Sequence, residues 1–337
     1  REGRSEFGES YAGKQHAKKQ VNLSGLGDDG RPLPLIATTD AGPEESGDAH
    51  VMAYSFRLCL AKDPANRVPF PEPDHYDPAR FEVLRRWFLL EKNPPFPWDL
   101  HPLPGGKFDA AIGIDKPIST ALLGGSDGWC EADPAARATL WEAHRQYTLE
   151  LYRFLTTDPA VPEKHRLELA QFGLAKDEFT GNAHWPPLLQ VFEGRRMKGM
   201  HMLSQKDIFD EPEKADPVAI SSFPIQSHVC QRIALPEGGV IEEGAILPVR
   251  MTGRNHGSPF HISFRNLLPL PEECENLIVP VALSCSRVAY CSIRFEPTWM
   301  ILGQSAGTAA ALSARQESRP PVQSLPYTLL RERLLAQ

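Results

Sequence analysis

The hydrophobic pattern changes period several times along this chain. Residues 51–60, from Val51 to Leu60, alternate in part and read as a strand. A proline-rich loop runs on through Pro78, and Ala79–Lys92 then places Phe81, Leu84 and Phe88 on one helical face. Residues 93–130 read as loops with short strands. The clearest helix opens at Asp133, a suitable N-cap, with Pro134 at the first helical position. Leu140, His144, Tyr147, Leu151, Phe154 and Leu155 follow at helical spacing. His144 and Tyr147 can pack or reach a ligand from there. Pro162–Ala175 suggests a shorter helix, and residues 186–205 and 217–265 look mainly β. Near the end, the apolar run 276–283 predicts a strand buried on both faces. A polar stretch, Ser284–Ser292, comes next, and Pro297–Arg315 predicts a helix carrying Gly303 and Gly307. Strand, polar loop and small-residue helix make an α/β unit.

Composition narrows the class. The 337 residues suit one large domain or two smaller ones, and 41% apolar residues suffice for a core. A net charge of −7 gives no field for holding nucleic acid. No run of 18 apolar residues is present, so no membrane-spanning helix is expected. The 32 prolines are scattered, which points to many ordered loops. Six cysteines, none in a C-x-x-C pair, give little support to a zinc site and read as reduced, mostly buried thiols.

Gly25–Gly30 spells G-x-G-x-x-G. A dinucleotide fingerprint must leave a buried strand and open a helix. Here Gln20–Ser24 is a weak strand, Arg31-Pro32-Leu33-Pro34 cannot start a regular helix, and Asp28 and Asp29 would repel a pyrophosphate. The segment reads as a turn. Ser284–Pro297 is a stronger candidate for chemistry, because it is dense in hydrogen-bonding groups between a predicted strand and a predicted helix. Ligands in α/β sheets bind at such strand ends, where a helix N-terminus offers oriented N–H groups and a positive dipole end. Gly303 and Gly307 free one helix face for a planar ligand or for a neighbouring strand, and the spacing fits both equally.

These residues also carry a resemblance. Glu275–Pro280, Ser292–Met300 and Gly303–Ala310 resemble the end of the FAD-dependent oxidoreductases of the xanthan-lyase-like group. Similar segments are Tyr54–Leu60, Asn66–Pro71, Asp177–Phe179, Glu193–Met197 and Pro224–His228, and even Gly8-Glu9-Ser10 matches a stretch that lies well inside the family's chains. The resemblance implies a two-part flavoprotein in an α/β class. Residues 1–270 would form a mixed α/β substrate domain, and 271–337 the returning C-terminal part of a Rossmann-like FAD-binding domain. The family's first strand, Gly-rich turn and helix are not in this sequence, which implies a missing N-terminal FAD-domain polypeptide as a partner. The substrate implied is small and polar or sugar-like. The cofactor contacts would come from Ser284, Ser286, Ser292, Arg294, Glu296, Gly303, Gln304 and Gly307. Arg294 and Glu296 fit either a buried pair or ligand contacts. His228 is the first catalytic candidate and His261 the second, since a near-neutral imidazole can accept a hydroxyl proton while a hydride leaves for flavin. Three positions depart from the family pattern: Gln226 stands where Asp is usual, Arg287 where His is usual, and Phe192 where Arg is usual. The first two changes remove candidate acid/base or orienting groups.

Two readings from other classes remain open at this point. One is a cofactor-free carbohydrate-binding module with Trp129, Trp141 and Trp185 as an exposed row of stacking platforms. The other is an inactive truncated remnant. On the flavoprotein reading, the chain alone lacks the first βα unit that gives a pyrophosphate its helix N-terminus. The purified chain is therefore expected to be colourless and to leave added FAD with its free fluorescence. Stoichiometric yellow protein that keeps FAD through gel filtration would overturn this expectation.

Overall fold

The computed structural model describes residues 1–16, 21–111, 118–247 and 257–337. After a short helix α1 (Arg4–Phe7), described segments of turns and isolated bridges precede β1 (Leu58–Ala61) and β2 (Arg67–Val68). Helix α2 (Glu82–Leu90), strands β3 (Asp99–Leu103) and β4 (Lys107–Ala111), the long α3 (Pro134–Thr157), α4 (Glu163–Leu169) and β5 (Gly173–Ala175) complete the first half. Then come α5 (Gln205–Phe209), β6 (Pro217–Ser221), β7 (Gln231–Ala234), β8 (Val240–Glu243) and β9 (Phe260–Ser263). Helices α6 (Arg287–Ile293), α7 (Glu296–Ala314) and α8 (Tyr327–Leu335) close the chain. The architecture is mixed α/β. No described helix is long and apolar enough to cross a membrane.

Five strands form an antiparallel sheet in the order β2-β5-β1-β4-β3, with Leu58 opposite Ala110 and Leu60 opposite Leu174. Helix α3 starts where its sequence says it should: the Asp133 carboxylate accepts from the Ala136 amide, and Pro134 gives up no helical hydrogen bond. Its apolar face stacks Phe154 on Phe81 at 5.1 Å. Tyr152 ties the helix to the sheet, stacking on Phe70 at 4.0 Å and donating its hydroxyl to the Phe172 carbonyl just before β5. Two further ribbons, β6–β9 and β7–β8, are also antiparallel. Helix α7 lies on β6, where the Ser305 hydroxyl donates to the Val218 carbonyl at 2.6 Å. Tyr327 of α8 donates to Pro217 at the same strand.

Several expected elements differ. The strand expected over 51–60 is confined to Leu58–Ala61. Side chains capture the earlier backbone amides: Asp127 takes Val51, Glu193 takes Met52 and Ser126 takes Tyr54. Pro162–Ala175 holds a helix and then strand β5, because Gly173 lets the Val68 backbone approach to 2.2 Å of where a Cβ would stand. Residues 186–205 form no ladder, only isolated bridges at Gln190 and Leu203.

The expected buried strand at 276–283 is not a strand. Leu277 and Val281 are 46% and 42% exposed, and Pro280 has no amide to donate. Val279 reaches the Leu267 carbonyl, but no described strand runs alongside. The polar stretch after it is largely helix: α6 begins at a Ser286 N-cap, and all seven of its residues are buried. A helix buried all round shows no amphipathic stripe. Gly25–Gly30 is a turn closed by the Gly30 amide on the Gly27 carbonyl. Gly25 is required there by close packing, since a Cβ would lie 2.7 Å from that of Ala234.

The cap and the core of α3 should be separable in urea unfolding. Asp133→Ala is expected to cost about 1 kcal/mol. Phe154→Ala, which empties a fully buried position, is expected to cost about 3–5 kcal/mol. Equal losses from the two variants would contradict this account of the helix.

Candidate functional site

An open cavity of about 710 Å³ lies between the segment Pro186–Phe192 and the start of α7. Its entry wall is strained. Phe179, which lines the cavity, and nearby Ala183 and His184 all hold positive φ, at 46°, 49° and 65°. Non-glycine residues in this region cost on the order of 1–3 kcal/mol each and persist only where the surroundings enforce them. Here the His184 amide donates to the Phe179 carbonyl and Trp185 to Asn182, which pins the turn. At the rim, Arg57 is ion-paired with Asp109.

His228 and Arg294 lie on the inner wall. His228 is 5% exposed, and its ring stacks on Phe192 with centroids 4.2 Å apart. Its Nδ1 is buried without a hydrogen-bond partner among the described residues. Burial holds the imidazole well below its ordinary pKa of 6.5, and the nearby Arg294 and Arg287 charges push the same way. His228 is therefore neutral at physiological pH.

Arg294 ends α6. It is 6% exposed, and Nε and Nη2 donate to the Gln226 carbonyl at 3.4 and 3.3 Å. Its guanidinium sits over Phe295 at 4.7 Å and Phe192 at 5.5 Å. Burial lowers its pKa from the usual guanidinium value. Phe295 is the N-cap of α7, whose first turn brings Glu296 and Trp299 to the cavity. Trp299 Nε1 is buried without a partner among the described residues.

Charge is paired in a deeper layer that supports this wall. Arg287 of α6 holds the Glu193 carboxylate at 2.9 Å, with both side chains at most 4% exposed. Burial pushes the Glu193 carboxyl up, but Arg287 and Arg196 outweigh it and hold it below the usual range. Nearby, Arg196 binds Glu2 at 2.7 Å, and Arg1 binds Glu243 at 2.6 Å. Cys230 lies between the Arg1 and Arg287 guanidiniums, 3.8 and 3.6 Å from them. Burial raises its thiol to about 12, which keeps it protonated.

The structure thus brings His228, Arg294 and Glu296 to one cavity and sends the other candidates elsewhere. His261 is in β9 opposite Ile220, and its Nδ1 accepts from the Lys214 amide at 3.3 Å. Ser284 accepts from the Gly199 amide, Ser286 caps α6 and donates to Glu9 at 2.6 Å, and Ser292 donates to the Phe223 carbonyl. All three serines are buried and serve the local structure. Gly303, Gln304 and Gly307 lie on the exposed side of α7, where nothing comes within 4 Å of a Cβ built on either glycine. Glu296 is exposed and forms no ion pair with Arg294, so of the two alternatives the buried pair is absent. The reason is the helix boundary between them: Arg294 turns inward at the end of α6 and Glu296 outward at the start of α7.

The tryptophans do not form an exposed row. Trp185 is buried, and Trp141 and Trp185 both pack edge-on against Phe56, at 5.2 and 5.3 Å. His144 and Tyr147 pack as well, with Tyr147 donating to the Ser119 carbonyl. Sequence reasoning missed Arg57 and Trp299 in the cavity wall. Trp299 had a signal, since it stands one turn into the predicted helix.

Phe192, Gln226 and Arg287, singled out in the sequence, all belong to this region. Phe192 and Gln226 line the cavity, and Arg287 holds Glu193 beneath it. No curated protein matches this chain, and no solved structure does. A family model does match, that of FAD dependent oxidoreductases, over residues 1–334. The chain belongs to the FAD-dependent oxidoreductase family, whose cofactor is FAD.

Proposed function

We propose that the cavity holding His228 and Arg294 is the substrate chamber of this flavin-dependent oxidoreductase, and that the substrate is a small polar or sugar-like molecule. The carrying observation is the orphaned Nδ1 of a buried, neutral His228 in a wall shared with the start of α7. The residues present fit the redox-active end of FAD. A helix N-terminus opens on the cavity, an unpaired guanidinium stands beside it, and the buried indole N–H of Trp299 lacks an acceptor. FAD, when bound, supplies the two-electron acceptor. The protein supplies binding, orientation and proton handling. Neutral His228 accepts the proton of a substrate hydroxyl as its carbon is oxidised. Phe192 fixes the imidazole plane, and Arg294 and the α7 dipole favour negative charge nearby. Of the residues expected at the cofactor, Arg294 and Glu296 line this cavity.

The outer face of α7 supports a second part of the proposal. Met300, Gly303 and Gly307 are exposed there, as is Val281 before α6. This face is where a dinucleotide-binding unit would pack, with 271–337 as the returning part of the FAD domain and 1–270 as the substrate domain.

Two measurements follow. By NMR, the His228 ring signals are expected not to titrate between about pH 6 and pH 8. Its depressed pKa means that the unfolded chain binds the proton more readily. Its contribution to stability is therefore complete above 6.5 and is lost as pH falls from there toward the folded pKa. His228→Gln should flatten that acid-side loss, and a His228 ring that protonates near 6.5 would refute the environment described.

In FAD-supplied protein, His228→Gln should slow flavin reduction by substrate by about 10²–10⁴-fold while leaving FAD affinity unchanged. Stopped-flow absorbance reads the first and fluorescence titration the second. An unchanged reduction rate would remove His228 from the chemistry.

A further inference from the structure

Arg294 differs from every other guanidinium buried to its degree among the described residues. Arg1, Arg232 and Arg287 each hold a carboxylate, at 2.6, 2.8 and 2.9 Å. Arg294 holds none. Its two hydrogen bonds are long and share one backbone carbonyl, and Nη1 has no acceptor among the described residues. Taking a charge out of water is costly unless it is paired and hydrogen-bonded. Two aromatic rings offset part of that cost but satisfy none of the donors. The other charged or titratable groups lining the cavity are Arg57, His101, His228 and Glu296. Arg57 is committed to Asp109, His228 is neutral, and Glu296 is exposed. The cavity therefore presents one buried, unsatisfied cation beside a buried, unpartnered imidazole nitrogen.

We infer that Arg294 selects a substrate bearing a carboxylate next to its reactive hydroxyl, such as a 2-hydroxy acid or a sugar acid. This rests on the cavity being the substrate chamber. A planar carboxylate matches the fork of a guanidinium and provides the countercharge that the protein withholds. The aromatic surfaces of Phe192 and Phe295 exclude water around that pair, which strengthens it. Neutral sugars or diols would leave the guanidinium unpaired.

The test uses matched probes that differ in the carboxylate, lactate against propane-1,2-diol and glucuronate against glucose. Binding to the chain without FAD is measured by calorimetry. The anionic member of each pair is expected to bind about 10- to 100-fold more tightly. Arg294→Gln should abolish that preference, and Arg294→Lys should keep part of it, because it retains charge without the fork. Circular dichroism checks folding. If the Gln variant is unfolded, Arg294→Lys decides: weakened anion binding with unchanged neutral binding supports the inference, and unchanged anion binding overturns it. Absence of any preference in the unaltered chain, including no binding by either member, also overturns it. So does a preference that survives in folded Arg294→Gln. Flavin reduction then separates this inference from the reading beneath it. Carboxylates that bind through Arg294 yet never reduce added FAD would defeat the redox assignment alone. Neutral substrates that reduce FAD while carboxylates do not would defeat the Arg294 inference alone.

Discussion

The Glu193 carboxylate is the fixed point on which the site depends. It is buried, and it accepts from Arg287 of α6 at 2.9 Å and from the Met52 amide at 2.5 Å. Its backbone carbonyl accepts from the Tyr54 hydroxyl. One residue thus joins the extended chain before β1, the segment after Trp185, and helix α6. Removing one partner of a buried pair strands the other, which costs about 3–5 kcal/mol. That penalty holds the three segments in one arrangement. Favourable hydrophobic contacts alone would allow many.

The consequences pass along the backbone in both directions. Phe192 precedes Glu193, so fixing the carboxylate places the Phe192 ring against His228 at 4.2 Å. Arg287 lies in the first turn of α6, so holding its head sets the position of that helix. Seven residues later the chain reaches Arg294, and one turn of backbone then starts α7 at Phe295. The imidazole, the guanidinium and the α7 N-terminus are neighbours because the same ion pair positions the elements that carry them. Burial, with the Arg294 and Arg287 charges pushing the same way, keeps His228 unprotonated, which is the form a proton acceptor requires.

Much of this was legible in the sequence wherever local rules decide. Asp133-Pro134 announced α3, Phe81, Leu84 and Phe88 gave the buried face of α2, and Pro297–Arg315 gave α7 almost to its ends. The resemblance carried the family. His228 ranks ahead of His261 in the sequence, although both stand in short segments rich in apolar neighbours. What separates them is tertiary: one ring is left without a partner at a cavity, and the other receives an amide from Lys214. Helix α6 was hidden because burial on every side erases periodicity. The run 276–283 misled for the complementary reason: apolar residues imply burial only when a neighbour covers them, and here Leu277 and Val281 face outward. The same applies to Gly303 and Gly307, where nothing among the described residues lies within 4 Å of a Cβ position.

Gln226, Phe192 and Arg287 make physical sense together. Gln226 supplies its carbonyl to Arg294 and brings no carboxylate to the cavity. Phe192 brings no cation, only a ring that His228 and Arg294 both contact. Arg287 brings a cation, but beneath the cavity and fully engaged with Glu193. Positive charge is thus paired in the layer below, and among the described residues of the wall Arg57 is paired with Asp109 while Arg294 has no carboxylate partner. On the reading proposed, proton transfer falls on His228, the one buried titratable group of that wall besides Arg294 among the described residues. The guanidinium cannot share the task, because it stays protonated at any working pH. Its role on the reading proposed is recognition of negative charge, and the aromatic rings around it would make that recognition depend on the ligand's own oxygen atoms.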